Sequence, residues 1–266
     1  MKGFYMYYLG IILASVVGYF LGSISWSIII VKKVGNIDIR TIGSGNPGAT
    51  NTVRALGKKW GLVVAFLDAL KVIFTSIIAI LLSLIPSSLF SQTSYFIPCI
   101  FALIGHCFPI YYKFKGGKAV SCFLGLLFVV NILYLIIFLI VWFISVAISR
   151  KVSVASIFSA FFVLIIMWIP YLNGVSYFIW QWNGLEQFSV AWKKYILFSL
   201  LNSFHYWFSN IWASGMLEGN IIVLIGGLIL GLRHSQNIKR IKNKTEPDTF
   251  PRKKNKLLKT KRFFYF

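Results

Sequence analysis

Long apolar stretches separated by short polar segments set the organisation of this 266-residue chain. A helix needs about 20 predominantly apolar residues to cross the hydrocarbon core of a bilayer. Stretches of that kind run over 7–31, 61–85 and 95–112. The apolar stretch 120–148 is too long for one comfortable crossing and is interrupted by Asn131, so it divides into a short fourth segment and a fifth. A sixth covers 152–170, and a seventh, short and glycine-rich, covers 220–232 with extension by its neighbours. The pattern predicts an all-α polytopic membrane protein of about seven transmembrane helices. The first stretch exceeds the apolar region of a signal peptide and is followed by no convincing cleavage site, so it is expected to remain as a span.

Composition agrees with lipid as the solvent. Hydrophobic residues make up 58% of the chain and charged residues 12%, about half the charged share of a soluble domain. Cys99, Cys107 and Cys122 lie in apolar stretches without metal-ligand spacing and read as small buried hydrophobes.

Charge then orients the spans. Lys and Arg number 27 against 6 Asp and Glu, a formal net charge of +21. Nucleic acid, anionic lipid and an anionic substrate could each match that excess, and nucleic acid is the poorest match for a membrane protein. Seven crossings with the amino terminus outside place Lys32, Lys33, Arg40, Arg54, Lys58, Lys59, Lys113, Lys115, Lys118, Arg150 and Lys151 inside with the basic tail. The outer segment 86–94 carries no charge, and Lys193 and Lys194 are the only Lys or Arg residues of the other outer loops. Cytoplasmic loops collect Lys and Arg, so the carboxyl terminus is expected in the cytoplasm. Fusing the fourth and fifth spans would put Arg150 and Lys151 outside, which supports the division at Asn131. Residues 171–218 read as an aromatic-rich outer insertion within a single membrane-embedded domain, 1–247. Residues 248–266 read as a basic tail suited to an anionic inner leaflet.

Three inner segments carry candidate chemistry. The run Asp38 to Arg54 holds Gly43, Gly45, Pro47 and Gly48, which let backbone amides approach a ligand. Ser44, Asn46, Thr50 and Asn51 offer neutral hydrogen bonds there, and Arg40 and Arg54 can fork onto a phosphate. The run Lys113 to Val120 places Gly116 and Gly117 between Lys115 and Lys118 ahead of a helix, a small anion nest at a positive helix terminus. The last span ends in Arg233, His234, Ser235, Gln236 and Asn237, with His234 and Asn237 spaced to share one helix face. Each segment also has a plainer explanation, as a turn, a positive-inside loop or a capped helix end. Asp68 and Lys71, within the second span, are expected to pair structurally, because a lone charge in hydrocarbon costs about 3 kcal/mol. His106 is expected to be a buried, hydrogen-bonded histidine near the same inner surface.

Residues 8–170 and 219–247 resemble the bacterial acyl-phosphate-dependent glycerol-3-phosphate acyltransferases of the inner membrane. Gly22-Ser23, the run Asp38 to Arg54 and Asp68 to Lys71 follow the family's first motif region. Gly105-His106 through Val120 follow its second, Ser153 to Ile157 a short serine motif, and His234 through Glu246 its last. The resemblance implies seven helices, a multi-pass protein of the cell membrane and an active site facing the cytoplasm. It implies transfer of a fatty acyl group from acyl phosphate to the 1-hydroxyl of glycerol 3-phosphate, giving 1-acylglycerol 3-phosphate and phosphate for phospholipid synthesis. Ser44, Asn46, His234 and Asn237 would be catalytic. Arg40, Thr50, Arg54, Lys115, Gly116, Gly117, Lys118 and Ser153 would bind substrate, with Glu246 structural. No cofactor or metal is implied, the partners are the two substrates and membrane lipid, and a monomer is expected. Ser25, Ala119 and Ser235 depart from the family, which usually has proline, glycine and arginine there.

An acyl phosphate carries a good leaving group, so positioning and charge stabilisation suffice. Arg54, Lys118 and the glycine amides are expected to hold the phosphates, with Ser44, Asn46 and Asn237 orienting the hydroxyl or the oxyanion. The proton would pass to His234 or to the substrate's own phosphate. The His-x-x-x-x-Asp motif of another acyltransferase class is absent, since the residues five beyond His106, His205 and His234 are Tyr111, Asn210 and Lys239. An anion or lipid-phosphate transporter is the rival reading, but two related halves with interrupted helices are not evident.

Overall fold

The computed structural model describes residues 8–169, 172, 199–201 and 215–246, which form helices joined by short loops. Most of the 171–218 insertion and all of the 248–266 tail lie outside the described residues. The first apolar stretch, expected as one continuous span, is two helices: α1, Leu9–Ser23, and α2, Trp26–Gly35. Ile24 and Ser25 between them are extended. A helix broken inside a membrane leaves carbonyls that must find partners in the protein. Here the partner is the buried Lys71, whose Nζ donates to the Gly22 carbonyl at 3.0 Å and the Ile24 carbonyl at 2.8 Å. Gly22, Ser23, Ser25 and Ser27 cluster at the break, but they are small and carry no charge, so the stretch still reads as one span.

Gly57, at φ +90°, separates α3, Ala49–Leu56, from α4, Lys58–Ser83. Then follow α5, Ile97–Cys107, with Pro98 in its first turn, and a 3₁₀ turn, Ile110–Tyr112. The predicted interruption at Asn131 is present. Its side chain accepts the Leu133 N–H at 2.9 Å and caps α7, Ile132–Ser149, directly after α6, Val120–Val130. The chain continues through α8, Val152–Ile166, then α9, Met216–Arg233, and α10, Ser235–Lys242. Leu9–Gly35, α4, α7 and α9 are long and apolar enough to cross a membrane. The other apolar helices are shorter. At 11 residues α6 rises about 16 Å, half the hydrocarbon thickness, and none of its residues is exposed. By contrast α7 buries only Tyr134 and Phe138 and turns Ile140, Phe143, Ile144 and Ile148 outward, as a lipid-facing helix does.

Small residues set the closest helix contacts. A Cβ on Gly22 would collide with the backbone of Ala102, and one on Gly105 with the Tyr19 carbonyl, so α1 and α5 meet nearly backbone to backbone. Gly125 brings α6 equally close to Ala69 of α4. Lipid supplies no hydrophobic drive between helices, so such close approach carries much of their association. Cys99, Cys107 and Cys122 are fully buried within this core, as expected. At one end of the bundle Ser94 donates to Glu218, and the Tyr134 hydroxyl lies 2.9 Å from both the Met167 carbonyl and Asn220 Oδ1. The opposite end carries the candidate chemistry.

Candidate active site

The first loop is organised by Asn51, expected only as one of several neutral hydrogen-bonding groups. Asn51 is buried in the first turn of α3, and its Nδ2 donates to the carbonyls of Ile39, 3.0 Å away, and Ile42, 2.9 Å away. Its Oδ1 accepts the Ser44 N–H at 3.3 Å. Gly43 packs so tightly on that amide that a Cβ would strike Oδ1, and both Gly43 and Gly45 have positive φ. The fold therefore closes around Asn51 and leaves Ser44 exposed. The Asn46 N–H donates to Ser44 Oγ at 3.4 Å, and Thr50 sits half-buried near the start of α3. Arg54 is exposed, with its stem passing over Gly43. Arg40 is engaged elsewhere: its Nη2 lies 2.7 Å from Asp38 Oδ2 in an exposed pair. Hydrogen bonds from the Arg40 side chain and backbone hold the Asp38 carboxyl down at about 2.

The second loop folds back under the end of α5. Gly116 and Gly117 are buried, and a Cβ on either would collide with His106, at its carbonyl and its ring Nε2 respectively. The Gly117 N–H donates to the His106 carbonyl at 3.0 Å. That amide is therefore engaged within the protein. The open donors are those of the first turn of α6, which have no partner within a helix. Positive φ falls on Lys113, Phe114 and Ala119 rather than on the glycines. Ala119, at φ +60°, is the residue before α6, which explains why glycine is usual there: a Cβ in this region costs about 1 kcal/mol. Lys115 is exposed.

Arg233, at the end of α9, holds this loop from the other side. Its Nε donates to the Gly117 carbonyl and its Nη2 to the Gly116 carbonyl, each at 3.0 Å, while the guanidinium lies 5.0 Å above the Phe108 ring centroid. In a planar trans peptide the N–H points opposite to the C=O. Arg233 thereby turns the Lys118 amide hydrogen away from itself. Sequence reasoning placed Arg233 at the head of the third segment without giving it a role; a cation at the inner end of a span facing glycine carbonyls was the available signal.

The third segment closes the network. Lys118 Nζ donates to Asn237 Oδ1 at 2.5 Å, and Asn237 Nδ2 donates to Glu246 Oε1 at 2.7 Å. Ser153, at the start of α8, donates to that same Glu246 oxygen, and Arg240 Nε donates to the other at 2.7 Å. Lys118, Asn237, Ser153, Arg240 and Glu246 thus join three distant parts of the sequence. Burial opposes ionisation of Glu246, but the hydrogen bonds from Ser153, Arg240 and Asn237 prevail and lower its pKa. Lys118 is brought down to about 8 by burial and by the charges of Arg240, Arg233 and Arg54, against the pull of Glu246. The Arg54 charge is how the first loop reaches the other two. Ser44, Asn46 and Thr50 otherwise stay with their own loop.

His234 is buried at the junction of α9 and α10, its Nδ1 2.8 Å from the Leu230 carbonyl. A carbonyl only accepts, so Nδ1 carries the hydrogen and Nε2 is left with its lone pair. Burial lowers its pKa to about 4, outweighing the Leu230 hydrogen bond that raises it. His234 is neutral at physiological pH.

Apolar helices with a half-buried basic network at one end describe an integral membrane protein. The sequence model of the glycerol-3-phosphate acyltransferase family matches residues 12–244. A glycerol-3-phosphate acyltransferase of Mycoplasma mycoides is 89% identical over 95% of this chain and 98% of its own length. Another from Mesoplasma florum is 57% identical over 92% and 97%. Among solved structures, that of PlsY (YgiH), an integral membrane glycerol 3-phosphate acyltransferase in its glycerol 3-phosphate form, superposes with a TM-score of 0.65. It shares 26% identity and covers 90% of this chain and 95% of its own. The chain belongs to the glycerol-3-phosphate acyltransferase family.

Proposed function

We propose that this enzyme uses acyl phosphate as its donor and acylates the 1-hydroxyl of glycerol 3-phosphate at a site facing the cytoplasm. The observation that carries this reading is the cluster of Lys118, Arg233, Arg240 and Arg54 around one buried network. Two phosphorylated substrates need such a concentration of positive charge. The glycine loop and the N-terminus of α6 would receive one phosphate with Lys118, and Arg54 would reach the other. Ser44, Asn46 and Asn237 would orient the hydroxyl and the carbonyl, and the acyl chain would extend sideways into lipid. Seven crossings with the amino terminus outside put every one of these residues on the inner surface, in accord with the charge of the loops.

In the reaction the substrate hydroxyl oxygen attacks the acyl carbon. The bond from that carbon to the phosphate oxygen breaks, phosphate leaves with the electron pair, and the hydroxyl proton must find a base. His234, at about 4, is a weaker base than a phosphate monoester, whose second pKa is about 6. The proton therefore passes to phosphate, and His234 orients rather than abstracts. The test is the pH–rate profile of a His234→Ala variant. Its acidic limb should persist at lowered turnover, whereas disappearance of that limb would make His234 the base.

The donor is tested with purified protein and labelled glycerol 3-phosphate. Acyl phosphate should give acylated product with one phosphate released per turnover. Product from acyl-CoA alone would overturn the donor assignment, and uptake into vesicles without product would favour the transporter.

A further inference from the structure

His106 is not merely a buried histidine. It lies at the end of α5 directly under the glycine loop, where its carbonyl takes the Gly117 amide at 3.0 Å and its ring Nε2 occupies the space a Gly117 side chain would need. On its other side Nδ1 lies 3.2 Å from Lys71 Nζ. The Lys71 ammonium, with three N–H donors, sits among four acceptors: the Gly22 carbonyl, the Ile24 carbonyl, Asp68 Oδ1 and His106 Nδ1. Asp68 Oδ1, 2.9 Å from Lys71 Nζ and 3.7 Å from His106 Nδ1, is the counter-charge of that ammonium. The imidazole thus has the Lys71–Asp68 pair at its Nδ1 edge and Gly117 at its Nε2 edge.

We propose that His106, held by Lys71 and Asp68, is a positioning residue that couples the break in the first membrane helix to the pose of the glycine loop, and so to the affinity for a phosphorylated substrate. The break directs α2 toward the first loop; the histidine supports the second. One buried ammonium touches both. Neutralising or displacing it would release the freed carbonyls of α1 and the seat of the loop together. A purely structural histidine in a close-packed core would have no charged partner, whereas this one has Lys71 at one ring edge and Gly117 at the other.

The proposal rests on the reading of the 116–118 loop as a phosphate seat, and a pair of variants tests it. In His106→Gln the amide reaches the position of Nε2; in His106→Asn it reaches only that of Nδ1, leaving Lys71 partnered and the loop unsupported. Expected is a KM for glycerol 3-phosphate or acyl phosphate raised about tenfold or more in His106→Asn with kcat within about threefold, and largely restored in His106→Gln. Equal KM values in both variants and the wild type, or equal rises in both, would overturn it. Wild-type turnover of acyl phosphate checks the donor independently. If that turnover is absent, the dissociation constants of glycerol 3-phosphate for the same two variants make the same comparison.

Discussion

Lys118 is the residue on which solution conditions act most directly. Its ammonium is brought down to about 8 by burial and neighbouring arginines, and only the charged form attracts a phosphate. The charge is present below that value and lost above it. The KM for the phosphate it holds should therefore rise as pH is raised through about 8, and a Lys118→Met variant should have a high KM without that rise. Steady-state kinetics between pH 6.5 and about 9 measure both. Glu246 is lowered, so its contribution to stability is present above the ordinary carboxylate range and is lost as pH falls through its folded value. A Glu246→Ala change leaves Asn237 and Arg240 without their acceptor and should cost about 2–3 kcal/mol, read as a lowered Tm in detergent. At this scale the sequence displayed residue types but not partners. Lys118 and Asn237 were legible as polar groups in basic segments, and Ser153 only through the family resemblance. That Ser153 and Asn237 both converge on Glu246, and that Asn51 gathers the first loop, depends on how loops fold back on themselves and, for Ser153, on a partner far away in the chain.

Elements were legible wherever apolarity alone decides, and hidden wherever backbone geometry decides. The division at Asn131 followed from a polar residue in an overlong apolar stretch, and Asn131 caps the helix after it. The break at Ile24 and Ser25 is marked only by the small residues Gly22, Ser23, Ser25 and Ser27, which a span tolerates, and the carbonyls it frees are satisfied by Lys71, distant in sequence. The helix α3 hid inside what reads as a loop because it is short and polar. Ala119 tests whether the geometry before α6 is understood. Replacing it with glycine relieves about 1 kcal/mol of left-handed strain and removes a buried methyl worth about 0.8 kcal/mol. Stability and activity should stay close to wild type. Ala119→Val, β-branched at positive φ, should lose several kcal/mol, on the order of 3. The α1–α5 contact gives a second test. Gly105→Val would drive a side chain into the Tyr19 carbonyl and should abolish recovery of folded protein from membranes, which size-exclusion chromatography in detergent would report.

For the molecule as a whole, chain order and spatial order differ in an instructive way. The segments that read as inner in the charge pattern are the ones the structure joins at one end: the glycine loop, the start of α8 and the residues after α9. Those that read as outer, around Ser94, and the start of α9 meet at the other. Charge asymmetry thus anticipated which loops are neighbours, because topology places them on a common surface before any side chain makes contact. It could not anticipate the depth of Lys118 or the engagement of the Gly117 amide, which arise from packing. The most direct measurement of the central claim uses single cysteines at exposed positions of the three segments, Ser44→Cys, Lys115→Cys and Ser235→Cys, labelled with a membrane-impermeant thiol reagent. The native cysteines are buried and leave little background. All three should react in inside-out vesicles but not in intact cells, and glycerol 3-phosphate should slow labelling at Ser44→Cys and Lys115→Cys. Labelling of any one of them from the outside would contradict a single inner site.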